Sequence, residues 1–161
     1  MRVYRVAIFV MALATLTAFS KAQVVPGPPD SGCRKGNLSE ESPATIKAVT
    51  FFLESLKVAI KKGDKRQVAT LISYPLSVAT FTAEFSVQSE EELKKHYDEV
   101  FPKDLRTLLL RQQSECVSRV GVKGLTIGTG EIWFDLFPDG KVRIFSINPV
   151  EKTAGAAPMT R

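Results

Sequence analysis

Between Ser42 and Gly63 the chain carries an apolar stripe with start and stop signals at its two ends. Ile46, Val49, Phe52, Leu53, Leu56, Ala59 and Ile60 recur at three- and four-residue steps, the spacing of one helix face. Ser42 before Pro43 is an N-cap followed by a proline at the first helical position. Lys61 and Lys62 complement the C-terminal dipole, and Gly63 ends the run. A helix this long, apolar on one side only, must lie against another layer.

The rest of the chain supplies that layer. Asp64 caps a second, short helix that is expected to run to about Ile72, and Tyr74-Pro75 breaks the helical pattern. Leu76 to Thr80 and Phe81 to Val87, rich in β-branched and aromatic residues, read as one or two strands. Ser89 and Glu92 form a capping box for a helix from Glu90 through Leu93, Tyr97 and Val100 to Phe101. Pro102 interrupts it, and Lys103 to Gln112 resumes the helical pattern. Cys116 to Val122 reads as a strand. Leu125 to Ile127 begins another that Glu131 to Phe137 continues, with Gly128 and Gly130 marking a bulge or bend. Asp139-Gly140 is a hairpin turn, and Val142 to Asn148 returns. Helices on one face of a curved antiparallel sheet, an α+β arrangement, satisfy this order.

The two ends read differently. Arg2 and Arg5 precede the uncharged apolar run 6–19, and Ser20-Lys21-Ala22 offers small residues around a cut after Ala22. That is the layout of a secretory signal peptide, and 14 apolar residues fall short of the ~20 that span a bilayer. Residues 1–22 are thus expected to be removed, leaving a Pro- and Gly-rich leader at 23–42, one domain at 43–149 and a loose tail at 150–161. Export to a periplasm or the medium follows, with no membrane span after cleavage. Asn37-Leu38-Ser39 matches a glycosylation acceptor.

Export also changes the charge. The net +5 rests on 22 basic and 17 acidic residues; three of the basic ones and none of the acidic ones lie in 1–22. The remaining 19 against 17 leave +2, with the Lys and Arg pairs dispersed among acids, which argues against nucleic acid. In an oxidising compartment Cys33 and Cys116 either bridge or stay as two thiols. A bridge would close a long loop, worth about 4.5 kcal/mol on the chain-entropy view.

The element order, together with Gly63-Asp64, LISYP at 71–75, SEEELKKHYDEVF at 89–101, GTGEIWF at 128–134 and Ile147-Asn148, resembles the nuclear transport factor two-like, or cystatin-like, superfamily. Within it the chain is similar to exported bacterial domains of unknown function over about residues 43–149. The resemblance implies a cone: three helices wrapped round a bent sheet, open at one end. Such scaffolds host isomerases, dehydratases, cyclases, transport factors and assembly domains, so the fold implies no single activity.

The candidate site residues fall into three groups. With Asp139 and Gly140 as the two central residues of the turn, Phe134 pairs with Phe145 and Ile132 with Ile147 on a dry face. The opposite face then carries Glu131, Trp133, Asp135 and Phe137, with Val142, Ile144, Ser146 and Asn148 beside them. Trp133, Glu131, Asp135, Phe137 and Asn148 form a candidate ligand or partner surface, aromatic at the centre and polar at the rim. Glu131, Asp135 and His96 are weak candidates for acid–base catalysis. Tyr74 and Tyr97 are candidates to line a cavity, Tyr97 with its hydroxyl partnered. No nucleophile elbow, phosphate loop, calcium loop or zinc pattern is present, and no cofactor or metal is expected.

Three functions remain open. The first is a noncatalytic binding or accessory domain for an unidentified protein or a small apolar ligand, as a monomer or a homodimer. The second is a cavity enzyme of isomerase, dehydratase or hydrolase type, and an enzyme is the less favoured reading. The third is an exported inhibitor or immunity-type protein presenting the 121–124 turn.

Overall fold

The long stripe does form a helix. In a computed structural model that describes residues 35–148, α1 spans Pro43–Lys62. The Ser42 hydroxyl accepts the Thr45 N–H at 3.1 Å, and Gly63 closes the far end at φ 67°. Asp64 caps α2, Lys65–Ala69, by accepting the Gln67 N–H at 2.9 Å. That helix stops three residues sooner than its sequence suggests. The Thr70 hydroxyl bonds back to Gln67 O, and Ile72 already belongs to a strand.

Strands β1 (Ile72–Ala79) and β2 (Glu84–Val87) pair antiparallel. Tyr74-Pro75 does not break β1. It lies where the ladder to β6 is skipped, between Ile72 and Ser77, so the missing proline N–H leaves no gap. Then come α3 (Glu90–Lys95), α4 (Tyr97–Val100) and α5 (Lys103–Arg111). The expected single helix 90–101 is divided at His96, whose backbone leaves helical geometry at ψ 16°. The capping box is present in a shifted form: Ser89 Oγ accepts the Glu92 N–H, while the Glu92 carboxylate reaches Gln88 N rather than Ser89 N.

Strands β3 (Ser118–Arg119), β4 (Leu125–Ile127), β5 (Ile132–Leu136) and β6 (Val142–Ile147) complete a six-stranded sheet of order β2-β1-β6-β5-β4-β3. The sheet is mixed, not all antiparallel, because β1 joins β6 in parallel. The strand expected over 116–122 contracts to two residues between short 3₁₀ turns at Ser114–Cys116 and Gly121–Lys123. The segments 125–127 and 131–137 are not one bulged strand but two antiparallel ones, Ile127 facing Ile132. Residues 128–131 make the turn between them.

The β5–β6 hairpin departs from its expected register. Phe137 donates to Lys141 O and Gly140 donates to Phe137 O, so the loop is the three residues Pro138, Asp139 and Gly140, with Gly140 left-handed at φ 77°. Phe134 therefore faces Ile144, and Leu136 faces Val142. A bulge between Trp133 and Phe134 leaves Phe145 as the extra residue and restores Ile132 opposite Ile147, the pair the sequence predicts. Val142 and Ile144, expected on the outer face, are buried in the core; Phe145 is not.

The core lies between α1 and the inner face of β5 and β6. Val49, Phe52, Leu53, Leu56, Ala59 and Ile60 are buried, the stripe expected from sequence. Phe52 stacks on Phe134 with ring centroids 5.1 Å apart. Leu105 and Leu109 of α5 and Leu93 and Val100 of α3 and α4 continue the same cluster. Burial on this scale, about 1.5–3 kcal/mol for each large side chain, holds the helical layer to the sheet.

Candidate functional site

Four of the five expected surface residues fall into two fixed clusters on the sheet. Three of them converge on the β4–β5 turn. Glu131 is buried, at 6% exposure, and its carboxylate accepts the Thr129 N–H at 2.6 Å and the Thr129 hydroxyl at 3.1 Å. A Cβ on Gly128 would stand 2.0 Å from that carboxylate, and Gly128 has φ 73°, so a side chain there would strain the backbone and displace Glu131. Gly130 O accepts both the Trp133 indole N–H at 2.9 Å and the Asn148 amide at 2.6 Å. Glu131, Trp133 and Asn148 thus hold a turn closed, and Glu131 is not part of the exposed surface.

Asp135 belongs to the second cluster. The Arg119 guanidinium donates to both its oxygens at 3.1 and 3.3 Å, and through Nε to Glu41. The Asp135 bonds, ahead of those from Glu41, raise the already high pKa of Arg119. Asn37 accepts the Arg119 backbone N–H at 2.6 Å, so its side chain, the expected glycosylation acceptor, lies within the same network. Gly36 N–H donates to Glu115 O at 2.7 Å, and Leu38 is buried. Residues 36–41 are therefore fastened along β3 and the turn before it. Cys116 is buried in that turn; Cys33, like the expected signal and tail segments, lies outside the described residues. Phe137 sits beyond this network under the Arg143 guanidinium, 5.4 Å from its ring centroid. Arg143 also pairs with Asp139, whose pKa it lowers through that hydrogen bond.

His96 is exposed at the α3–α4 junction, with Nδ1 3.1 Å from Glu99 Oε2. The catalytic candidates His96, Glu131 and Asp135 are thus each bonded to a different partner and are not brought together. The two tyrosines make different contacts. Tyr74 donates to Ala69 O at 3.3 Å, and burial, followed by the charges of Glu90 and Glu91, raises its pKa. Tyr97 is buried with Lys65 Nζ 4.9 Å above its ring, and its hydroxyl has no hydrogen-bond partner, contrary to expectation. Burial is the main cause of its raised pKa, opposed by Arg106. Among the described residues no three His, Cys, Asp or Glu side chains are grouped to hold a metal, and no helix is long and apolar enough to cross a membrane.

One concave site was not expected. A cleft of about 600 Å³ opens between α1 and the β5–β6 turn. Ala44, Ala48, Phe51 and Phe52 form its helical wall; Leu71 and Val142 form its floor. Lys47 stands on the helical wall and Lys141 on the turn. Phe51 is 76% exposed at the rim, a large apolar side chain left in water. None of the candidate residues named from the sequence lines this cleft. A second, smaller hollow of about 300 Å³ lies near Val78, Phe81, Pro102 and Asn148. In comparisons with known proteins the chain matches no family model, no curated protein and no solved structure.

Proposed function

We propose that this chain is an exported, noncatalytic binding domain for a small apolar ligand, built on a cone of the nuclear transport factor two-like kind. The cleft beside α1 carries the reading: its size falls within the ~300–1,000 Å³ of small-molecule sites, and its walls are mostly hydrocarbon. The helices laid over one face of the sheet support the choice of scaffold. The charged start and apolar run at 1–22 support export to the periplasm or medium. A Cys33–Cys116 bridge belongs to the same reading. Position 36 is paired with position 115, and the three residues from Cys33 to Gly36 reach about 10 Å. A partner or homodimer seated on the outer sheet face ranks second, because Trp133, Asp135 and Asn148 already spend their polar groups within the fold.

The neutral probe N-phenyl-1-naphthylamine tests the cleft. Its fluorescence rises on binding the protein, and Ala48→Trp, which fills the cleft from the half-exposed helical wall, abolishes the rise while the circular dichroism spectrum is kept. A probe signal that is absent, or that survives Ala48→Trp, refutes the site.

A further inference from the structure

The cleft has a charge pattern as well as a shape. Lys47 and Lys141 come from opposite walls, one on α1 and one beside the β5–β6 turn, and no acidic residue lines the space between them. The ion pairs among the described residues use Lys57, Lys65, Lys94, Arg106, Arg119, Arg143 and His96, and leave both ammonium groups unpaired. The nearest acid along the turn, Asp139, bonds to Arg143 and to the Lys141 backbone N–H; the Lys141 charge also acts on it, but less than the Arg143 hydrogen bond does. The lining between the two cations is apolar: Phe52 and Val142 are buried, and Leu71 is half-buried. Hydrocarbon walls flanked by two cations that form no ion pair among the described residues complement a molecule with an apolar chain and one anionic head.

We infer that the cleft takes a free single-chain anionic amphiphile, an alkanoate or a close equivalent, with its chain on Phe51, Phe52, Leu71 and Val142 and its head between Lys47 and Lys141. This rests on the binding reading above and names its ligand class. The head stays near solvent, where both amines are exposed, so its contribution is modest and sensitive to salt.

Displacement of N-phenyl-1-naphthylamine by dodecanoate, dodecanol and dodecylamine tests it. Dodecanoate is expected to compete roughly five- to tenfold better than dodecanol, and dodecylamine worst, at low salt. The gap between dodecanoate and dodecanol is expected to close in the double variant Lys47→Gln/Lys141→Gln and to shrink at high salt, while dodecanol competition is unchanged. Equal competition by dodecanoate and dodecanol, or a gap that survives the double variant, overturns the anionic assignment and leaves the apolar cleft standing. Failure of the probe itself to bind overturns both. Sedimentation with phosphatidylglycerol vesicles that depends on the two lysines, without displacement by dodecanoate, would replace the free ligand by a membrane surface and overturn the inference.

Discussion

Tyr97→Phe should make this protein more stable. The Tyr97 hydroxyl is enclosed and unpartnered, although charged groups surround its ring: Lys65 lies over the face, and Asp98 holds Lys65 at 3.5 Å and Arg106 at 2.6 Å. An unpaired buried hydroxyl costs roughly 1–3 kcal/mol by mutational measure. Phe keeps the ring, its stacking on Phe101 at 5.4 Å and the Lys65 contact. Part of the gain is lost to a small void where the oxygen stood, leaving about 1 kcal/mol net. For a domain of this size that raises Tm by about 3–6 °C, read by circular dichroism at pH 7. The pH dependence supplies an independent reading. Burial raises the folded pKa of Tyr97 above the ~10 of an unfolded tyrosine, so its contribution is complete below about pH 10 and is lost as pH rises through the folded value. The variant should lose stability less steeply above pH 10, with Tyr74, raised in the same sense, supplying the slope that remains. A variant destabilised by about 1 kcal/mol or more would show that the hydroxyl is bonded, and an unchanged alkaline slope would show that the folded pKa of Tyr97 is not raised; either result refutes the reasoning.

Two further substitutions probe the frame around the site. Arg119→Met removes the fork to Asp135 and the bond to Glu41 and strands both carboxylates; partial exposure of all three groups limits the cost to about 2 kcal/mol. Urea unfolding should show the lower midpoint, and an unchanged midpoint would mean that residues 36–41 are held by other contacts. Phe134→Ala deletes a fully buried ring stacked on Phe52 and should cost about 3–5 kcal/mol in the same assay. A loss below about 1.5 kcal/mol would place Phe134 outside the core.

What was legible in the sequence was local. α1 could be read because its cap, proline, stripe, lysines and terminal glycine all lie within 22 residues of chain and all say the same thing. α5 was legible from the leucines at 105, 108 and 109 that follow Pro102. The β4–β5 region was not, because glycines at 128 and 130 suit a bulge in one strand as well as a turn between two. What decides is Glu131, which folds its carboxylate back over Gly128 to bind Thr129 and so closes the turn. The split of 90–101 at His96 carries no proline or glycine to announce it. The parallel join of β1 to β6 likewise depends on residues some seventy positions apart, Ile72 with Ile144 and Val78 with Ile147.

The misplaced faces of Val142 and Ile144 and the unexpected cleft have one cause. Asp139-Gly140 was a correct turn signal, but a two-residue loop and a three-residue loop share it, and they differ in which residues point inward. Placing Pro138 in the loop and Gly140 in the left-handed position turns Val142 and Ile144 toward α1 and leaves Lys141 at the rim. Val142 then joins Leu71 to make the cleft floor beneath Phe52, and Lys141 stands opposite Lys47. With the two-residue loop Val142 would face outward and the floor would not exist. The sequence did hold one sign of the cleft. Phe51 falls beside the buried stripe rather than within it, with Ala48 and Ala44 three and seven residues before it on the same flank. That is a large ring next to small residues where a solvated helix face would carry polar ones. The single residue that sets the hairpin length therefore also decides whether Phe51 has a wall to face.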